Sequence, residues 1–205
     1  MTQDEKKQKM LDLLKLYLED KSNETDWVSY SGPHLGFDEY RAMFEALLNG
    51  WLVFGEKCRE FETQFPEKLG NKYGTLTNSG SSANLLMTAA LLSESKCPKE
   101  YRLKKGDKFI TPVVCFPTTI NPLIQLGFEP VFVDVDIPSL NLNLDQVEAV
   151  LKNDTNKEIK GIIFAHVLGN PPDMDRLMAL VEKYNLIFLE DSCDALGSYY
   201  DKKKL

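Results

Sequence analysis

From residue 72 onward, short apolar runs alternate with segments whose apolar residues recur at helical spacing, and no other feature of the chain limits its fold so tightly. The runs fall at 73–77, 108–112, 131–133, 161–165 and 186–189, and the helical patterns at 82–93, 118–126, 144–152 and 174–184. Gly161-Ile162-Ile163-Phe164-Ala165 is apolar without alternation, which suits a strand covered on both faces. The β–α rhythm therefore predicts an α/β protein: a mainly parallel sheet with helices on both faces. The lead into it reads as helical. Met10, Leu13, Leu14 and Tyr17 mark a first helix, followed by a linker at 21–26. Tyr40, Met43, Phe44, Leu47 and Trp51 mark a second, with Phe37 and Asp38 as staple and cap and Gly50 near its end. Cys58, Phe61, Phe65 and Leu69 mark a third, which Pro66 should kink or split.

The charge balance narrows the partners. A net charge of −7, with both signs interspersed, argues against nucleic acid or an anionic membrane surface. No apolar run has the length of a membrane span, and Thr2-Gln3-Asp4-Glu5-Lys6 lacks the apolar core of a secretory signal, so the expected location is the cytoplasm. Cys58, Cys97, Cys115 and Cys193 show no Cys-x-x-Cys pair, and neither a metal site nor a disulfide framework is expected.

Ligands of open α/β sheets gather beyond the carboxyl ends of the strands. The first such junction, Leu76-Thr77-Asn78-Ser79-Gly80-Ser81-Ser82-Ala83-Asn84, is a small-residue turn opening a helix. Gly80 is free to take a positive φ there, and Ser81 or Ser82 is expected to cap a helix running through Leu85, Leu86, Ala89 and Leu92. Its free N–H groups and positive dipole end suit an anion. The later junctions hold Phe116-Pro117-Thr118-Thr119, His166-Val167-Leu168-Gly169-Asn170 and Glu190-Asp191-Ser192-Cys193-Asp194-Ala195. Together they supply a phosphate cradle, an aromatic face, an imidazole and a carboxylate, the parts needed to hold a phosphorylated aromatic cation such as pyridoxal or pyridoxamine phosphate. Each residue also suits a plainer role: Phe116 a core aromatic, Asp191 a turn cap, His166 a structural hydrogen-bond partner. Nothing around Cys193 resembles a thiol hydrolase.

These runs, with Val131-Phe132-Val133-Asp134-Val135-Asp136, resemble the DegT/DnrJ/EryC1/StrS family of sugar aminotransferases over residues 31–205. Asp191-Ser192-Cys193-Asp194-Ala195-Leu196-Gly197 and Phe116-Pro117-Thr118-Thr119 look most like its CDP-4-dehydro-6-deoxyglucose 3-dehydratase branch. The resemblance implies a type I aminotransferase fold, with an N-terminal helix and linker over 1–30 and part of the cofactor-binding large domain over 31–205. It implies pyridoxamine or pyridoxal phosphate as cofactor, a homodimer, a nucleotide-sugar substrate and a reductase partner. Carried over, Gly80, Ser81 and Ser82 bind the phosphate, Phe116 stacks on the ring and Asp191 pairs with the pyridine nitrogen. Asp194 stands where many relatives have a cofactor-contacting Gln, and it and His166 are expected among the cofactor-binding residues.

In the 3-dehydratase reaction so implied, the C4 ketone of a 4-keto-6-deoxyhexose condenses with the cofactor amine, a proton is removed and the C3 hydroxyl leaves. A true aminotransferase is the alternative reading, and a non-catalytic interaction subunit a third. The family's proton-transfer residue, His in dehydratases and Lys in aminotransferases, is expected after the turn Tyr200-Asp201-Lys202-Lys203, beyond Leu205. The resemblance thus makes residues 1–205 an N-terminal half, inactive alone. Any iron–sulfur cluster is expected in the C-terminal half.

Overall fold

The computed structural model describes residues 1–19, 32, 35–137 and 139–204; the linker at 21–26 and His34 of the Gly32–Gly36 loop lie outside them. The chain forms two compact units, Met1–Glu60 and Phe61–Leu205.

In the first unit, α1 (Gln3–Glu19) starts with a reciprocal capping box: the Glu5 N–H donates to Thr2 Oγ1 at 3.2 Å and the Thr2 N–H to the Glu5 carboxylate at 2.7 Å. The second helix, α2 (Phe37–Asn49), is capped not by Asp38 but by Gly36, and the Gly36 N–H donates to the Glu39 carboxylate at 2.7 Å. It ends on Gly50 in the left-handed region (φ 68). Lys7 of α1 pairs with Glu45 of α2 at 2.9 Å.

The third helix, α3 (Glu56–Lys68), runs through Pro66 unbroken, against expectation. Pro66 sits in the last turn, so its missing N–H removes a single bond, to the Glu62 carbonyl, at the very end of the helix. The N–H groups of Leu69 and Asn71 both donate to its carbonyl, at 3.0 and 2.8 Å, and close the helix.

The second unit holds α4 (Gly80–Ala90), β1 (Lys108–Pro112), α5 (Pro117–Leu126), β2 (Glu129–Val133), β3 (Val135–Asp136), β4 (Asn141–Leu142), α6 (Leu144–Asn153), β5 (Ile159–Ala165), α7 (Met174–Tyr184), β6 (Ile187–Asp191), β7 (Tyr199–Tyr200) and β8 (Lys203–Lys204). Its main sheet has the order β2-β1-β5-β6, with every neighbouring pair parallel, as the β–α rhythm predicts. The pairs β3·β4 and β7·β8 are short antiparallel ladders. The run at 73–77 is not a strand: among the described residues no strand pairs with it, and the Leu76 N–H donates instead to the Glu62 carboxylate at 2.7 Å.

Side chains alternate across the sheet. On one face Ile110, Ile162 and Phe164 pack with Leu144, Val147 and Leu151 of α6 and Leu177, Leu180 and Val181 of α7. On the other, Phe109, Ile163 and Leu189 pack with Leu123 of α5 and with Met87, Leu91 and Leu92 at the end of α4 and beyond. Gly161 lies between: a β-carbon there would strike the Phe109 ring and come within 2.8 Å of the Ile187 carbonyl.

Helix α4 turns its polar side inward. Leu85 and Leu86 are exposed, while Asn84 and Thr88 are buried against the sheet. The reason lies in what Asn84 meets.

Candidate functional site

The amino end of α4 is capped by Ser79, not by Ser81 or Ser82. Ser79 has extended backbone (φ −165, ψ 161), and its Oγ accepts the Ser82 N–H at 3.2 Å. Gly80 is the first helical residue and its φ is not positive, so the left-handed conformation is not what requires glycine here. A close approach is: a β-carbon on Gly80 would collide with Cys193 Sγ from the turn after β6. The N–H groups of Gly80 and Ser81 have no partner among the described residues. With the helix dipole behind them they form a ready cradle for a phosphate. Ser81 is exposed, and Ser82 Oγ lies 3.2 Å from Ser79 Oγ.

Asp191 ends β6 beside this turn, and its carboxylate is buried. Its Oδ2 accepts from Asn84 Nδ2 at 2.7 Å and from Thr119 Oγ1 at 2.7 Å, and its Oδ1 from the Cys193 N–H at 3.1 Å. Burial pushes this carboxyl upward, but the bonds from Asn84, Thr119 and Cys193 outweigh it and leave the group below the ordinary carboxylate range. Asp191 is therefore an ionised acceptor at neutral pH. Such a group suits a protonated ring nitrogen and favours its charged form.

Phe116 caps α5 with its carbonyl, which accepts the Thr119 N–H at 3.0 Å. Phe116 is 68% exposed on the loop after β1, so it is no core aromatic. Asp194 is exposed in the turn after Asp191.

The nearby thiols stay neutral. Burial, the bond to Asp191 and the charges of Asp191 and Asp194 push Cys193 up to about 11. Burial and the charge of Asp191 push Cys115 up to about 11. At such values neither is an activated nucleophile.

His166 is not brought to the Asp191 side. Its ring stands edge-on to Phe164 at 4.9 Å, on the α6–α7 face, and its Nε2 lies 2.8 Å from Glu190 Oε1. Because side chains alternate along β6, Glu190 and Asp191 point to opposite faces. The backbone of His166 does serve the site, its N–H donating to the Asp191 carbonyl at 3.1 Å. Buried Asn141 steadies the following loop, donating to the Asn170 carbonyl at 2.7 Å.

Sequence reasoning passed over Asn84 and Thr119. Both stand in runs it singled out, but an Asn amid Ala and Leu and a Thr after Pro117-Thr118 read as helix surface. The available signal was the spacing of Asn84 and Thr88, one turn apart on a single face.

Residues 33–205 match the DegT/DnrJ/EryC1/StrS aminotransferase family. The lipopolysaccharide biosynthesis protein RfbH of Salmonella typhimurium is 44% identical over 179 residues, covering 86% of this chain and 39% of that protein. The dTDP-4-dehydro-2,6-dideoxy-D-glucose 3-dehydratase of Saccharopolyspora spinosa is 42% identical over 172 residues, covering 83% of this chain and 36% of that protein. A crystal structure of GDP-4-keto-6-deoxymannose-3-dehydratase with a trapped PLP-glutamate geminal diamine superimposes with a TM-score of 0.77 at 35% identity, covering 87% of this chain and 44% of the other. The chain thus spans about two fifths of the length of the relatives it matches. Its parallel sheet with helices on both faces is part of the large domain of the pyridoxal phosphate-dependent aminotransferase fold.

Proposed function

The chain belongs to the DegT/DnrJ/EryC1/StrS aminotransferase family, and on that premise we propose that it forms the cofactor-binding part of a 3-dehydratase. The substrate class is a nucleotide-linked 4-keto-6-deoxyhexose, CDP-4-dehydro-6-deoxyglucose in the first instance, and the pathway class is deoxysugar and lipopolysaccharide biosynthesis. The observation that carries this reading is the buried, ionised Asp191 held by donors from α4, α5 and the turn after β6. The N–H groups of Gly80 and Ser81 at the neighbouring helix end, unpartnered among the described residues, complete it. Anion cradle and fixed carboxylate together fit pyridoxamine phosphate. The names of two relatives above 40% identity, one a 3-dehydratase and the other a lipopolysaccharide biosynthesis protein, support the dehydratase reading over transamination.

When bound, the cofactor supplies an amine for the keto sugar and a ring that draws off electrons. The residues of this chain bind and orient it. Gly80, Ser81 and Ser82 take the phosphate through backbone N–H and hydroxyl groups. Asp191 keeps a proton on the ring nitrogen by its charge. Phe116 covers one face of the ring, and Asp194 borders it. His166 supports the end of β6 from the opposite face. Proton transfer to and from the substrate falls to residues outside this set. The active assembly is a homodimer in the cytoplasm, and a reductase partner supplies the electrons that complete 3-deoxygenation.

The test is to give the intact enzyme pyridoxamine phosphate, CDP-4-dehydro-6-deoxyglucose and an electron donor, and to follow the sugar by mass spectrometry. Loss of the C3 oxygen is expected. An amino sugar formed from an amino donor, with the C3 oxygen retained, would replace this reading with aminotransfer.

A further inference from the structure

We propose that Asn84 and Thr119 are positioning residues for Asp191: reaching in from two different helices, they hold its Oδ2 and leave Oδ1 as the oxygen that meets the ligand cation. This rests on the reading of Asp191 as the partner of the cofactor's ring nitrogen.

The argument is one of lone pairs. Each carboxylate oxygen accepts about two hydrogen bonds. Oδ2 already has two, from Asn84 Nδ2 and Thr119 Oγ1, both at 2.7 Å. Oδ1 accepts the Cys193 N–H at 3.1 Å, and the Cys193 thiol adds a weak side-chain bond to the carboxylate. The two strong side-chain donors are thus spent on Oδ2; the thiol is a weak donor on an exposed side chain, which a charged N–H displaces, so Oδ1 is the oxygen open to a ligand.

Both donors are locked. Asn84, Thr119 and Asp191 are 4%, 0% and 6% exposed. An ionised carboxylate cannot donate, so the Thr119 hydroxyl must give its proton to Oδ2. The Asn84 amide nitrogen also donates to the Thr118 carbonyl at 3.3 Å. Both of its neighbours are acceptors, so the side chain cannot turn its oxygen toward them. Thr88 Oγ1 donates to the Asn84 carbonyl at 2.8 Å and adds a further buried tie in α4. Apolar residues would fill these inward positions on α4 and α5 at lower desolvation cost if packing were the only demand. Holding the carboxylate from two separate helices fixes both its position and its plane.

The test uses intact enzyme loaded with cofactor labelled with 15N at the ring nitrogen, observed by NMR at neutral pH, with kcat, KM and cofactor affinity measured alongside. Wild type should show a protonated ring nitrogen and Asp191→Asn an unprotonated one. Thr119→Val and Asn84→Leu should move the signal toward the Asp191→Asn value and lower kcat by about 10- to 100-fold, the range for supporting partners of a bound group. Cofactor affinity should change far less, and Thr119→Ser should restore the wild-type signal. A wild-type signal in Asp191→Asn overturns the reading of Asp191 itself. A changed signal in Asp191→Asn, with wild-type signals in Thr119→Val and Asn84→Leu, overturns the positioning role alone. Should Asn84→Leu not fold, the Thr119→Val and Thr119→Ser pair decides the matter.

Discussion

The sulfur of Cys193 fills the space that a β-carbon on Gly80 would take. One contact thus joins the amino end of α4 to the turn that carries Asp191, across more than a hundred residues of sequence. The glycine is needed for this approach and not for its backbone angle. Gly80→Ala should therefore lose roughly 1 kcal/mol, the low end for overpacking, because Cys193 is able to rotate aside. In Gly80→Ala/Cys193→Ala the clash is gone and alanine is the better helix former, so the double variant should regain that loss. Chemical denaturation of the four proteins of this cycle measures it; additive losses would remove the contact from the account.

Cys193 is exposed at its edge, yet the burial of its sulfur, its bond to Asp191 and the charges of Asp191 and Asp194 hold its thiol up to about 11. At pH 8 only about a thousandth of it is thiolate, against roughly a quarter for an ordinary cysteine. Iodoacetamide should label it slowly, with a rate that climbs through pH 10. Asp191→Asn removes one of the two charges and should speed labelling at pH 8 several-fold. Mass spectrometry of the tryptic peptide gives the rate, and labelling as fast as a free thiol in wild type would contradict the electrostatics.

Of the site, the runs around Gly80, Phe116 and Asp191 were legible because small residues, an aromatic before Pro and a carboxylate at strand ends break the apolar pattern. The sheet was legible for the same kind of reason. The runs at 108–112 and 161–165 and the helix at 174–184 carry their own boundaries: Asp173 caps α7 by accepting the Arg176 N–H, and Asn185 closes it in the left-handed region. What failed is non-local. A strand at 73–77 requires a partner, and propensity says nothing about whether one is there. The leucines of α4 do not mark its inward face, because the hydrogen bond from Asn84 to Asp191 buries the polar side of that helix. His166 and Asp191 stand in neighbouring strand ends, and only register tells that their side chains part to opposite faces. Ser79 was passed over as cap because three serines in four residues offer the same chemistry.

Acid should find Asp191 early. Its carboxyl lies below the ordinary range in the folded chain, so its contribution to stability is present above about pH 4 and is lost as pH falls through the folded value. Asp191→Asn keeps the shape but sets an amide N–H₂ against donors that need an acceptor. It should cost about 1–3 kcal/mol at neutral pH. The gap between the two proteins should shrink below about pH 4. Urea midpoints measured from pH 7 to pH 3 would show the convergence; a gap that stays constant would mean that the Asp191 charge adds nothing.

Gly161 tests the fold apart from the site. Gly161→Ala places a methyl group against the Phe109 ring and the Ile187 carbonyl, neither of which has room to give. A loss of about 1–3 kcal/mol is expected. Wild-type thermal stability would contradict the packing of β1, β5 and β6.

The central claim is that the amino end of α4 and Asp191 form a single site for pyridoxamine phosphate. The most direct measurement is an equilibrium titration of the intact enzyme with pyridoxamine phosphate and with phosphate-free pyridoxamine, in wild type and in Gly80→Val. A β-branched side chain at Gly80 blocks both Cys193 and the approach of a phosphate to the free N–H groups. Wild type should bind the phosphorylated form more than about tenfold tighter, a difference of about 1.4 kcal/mol or more. Gly80→Val should lose that preference while keeping the circular dichroism of the folded sheet. Equal affinity for the two ligands in wild type, or an undiminished preference in Gly80→Val, would contradict the account.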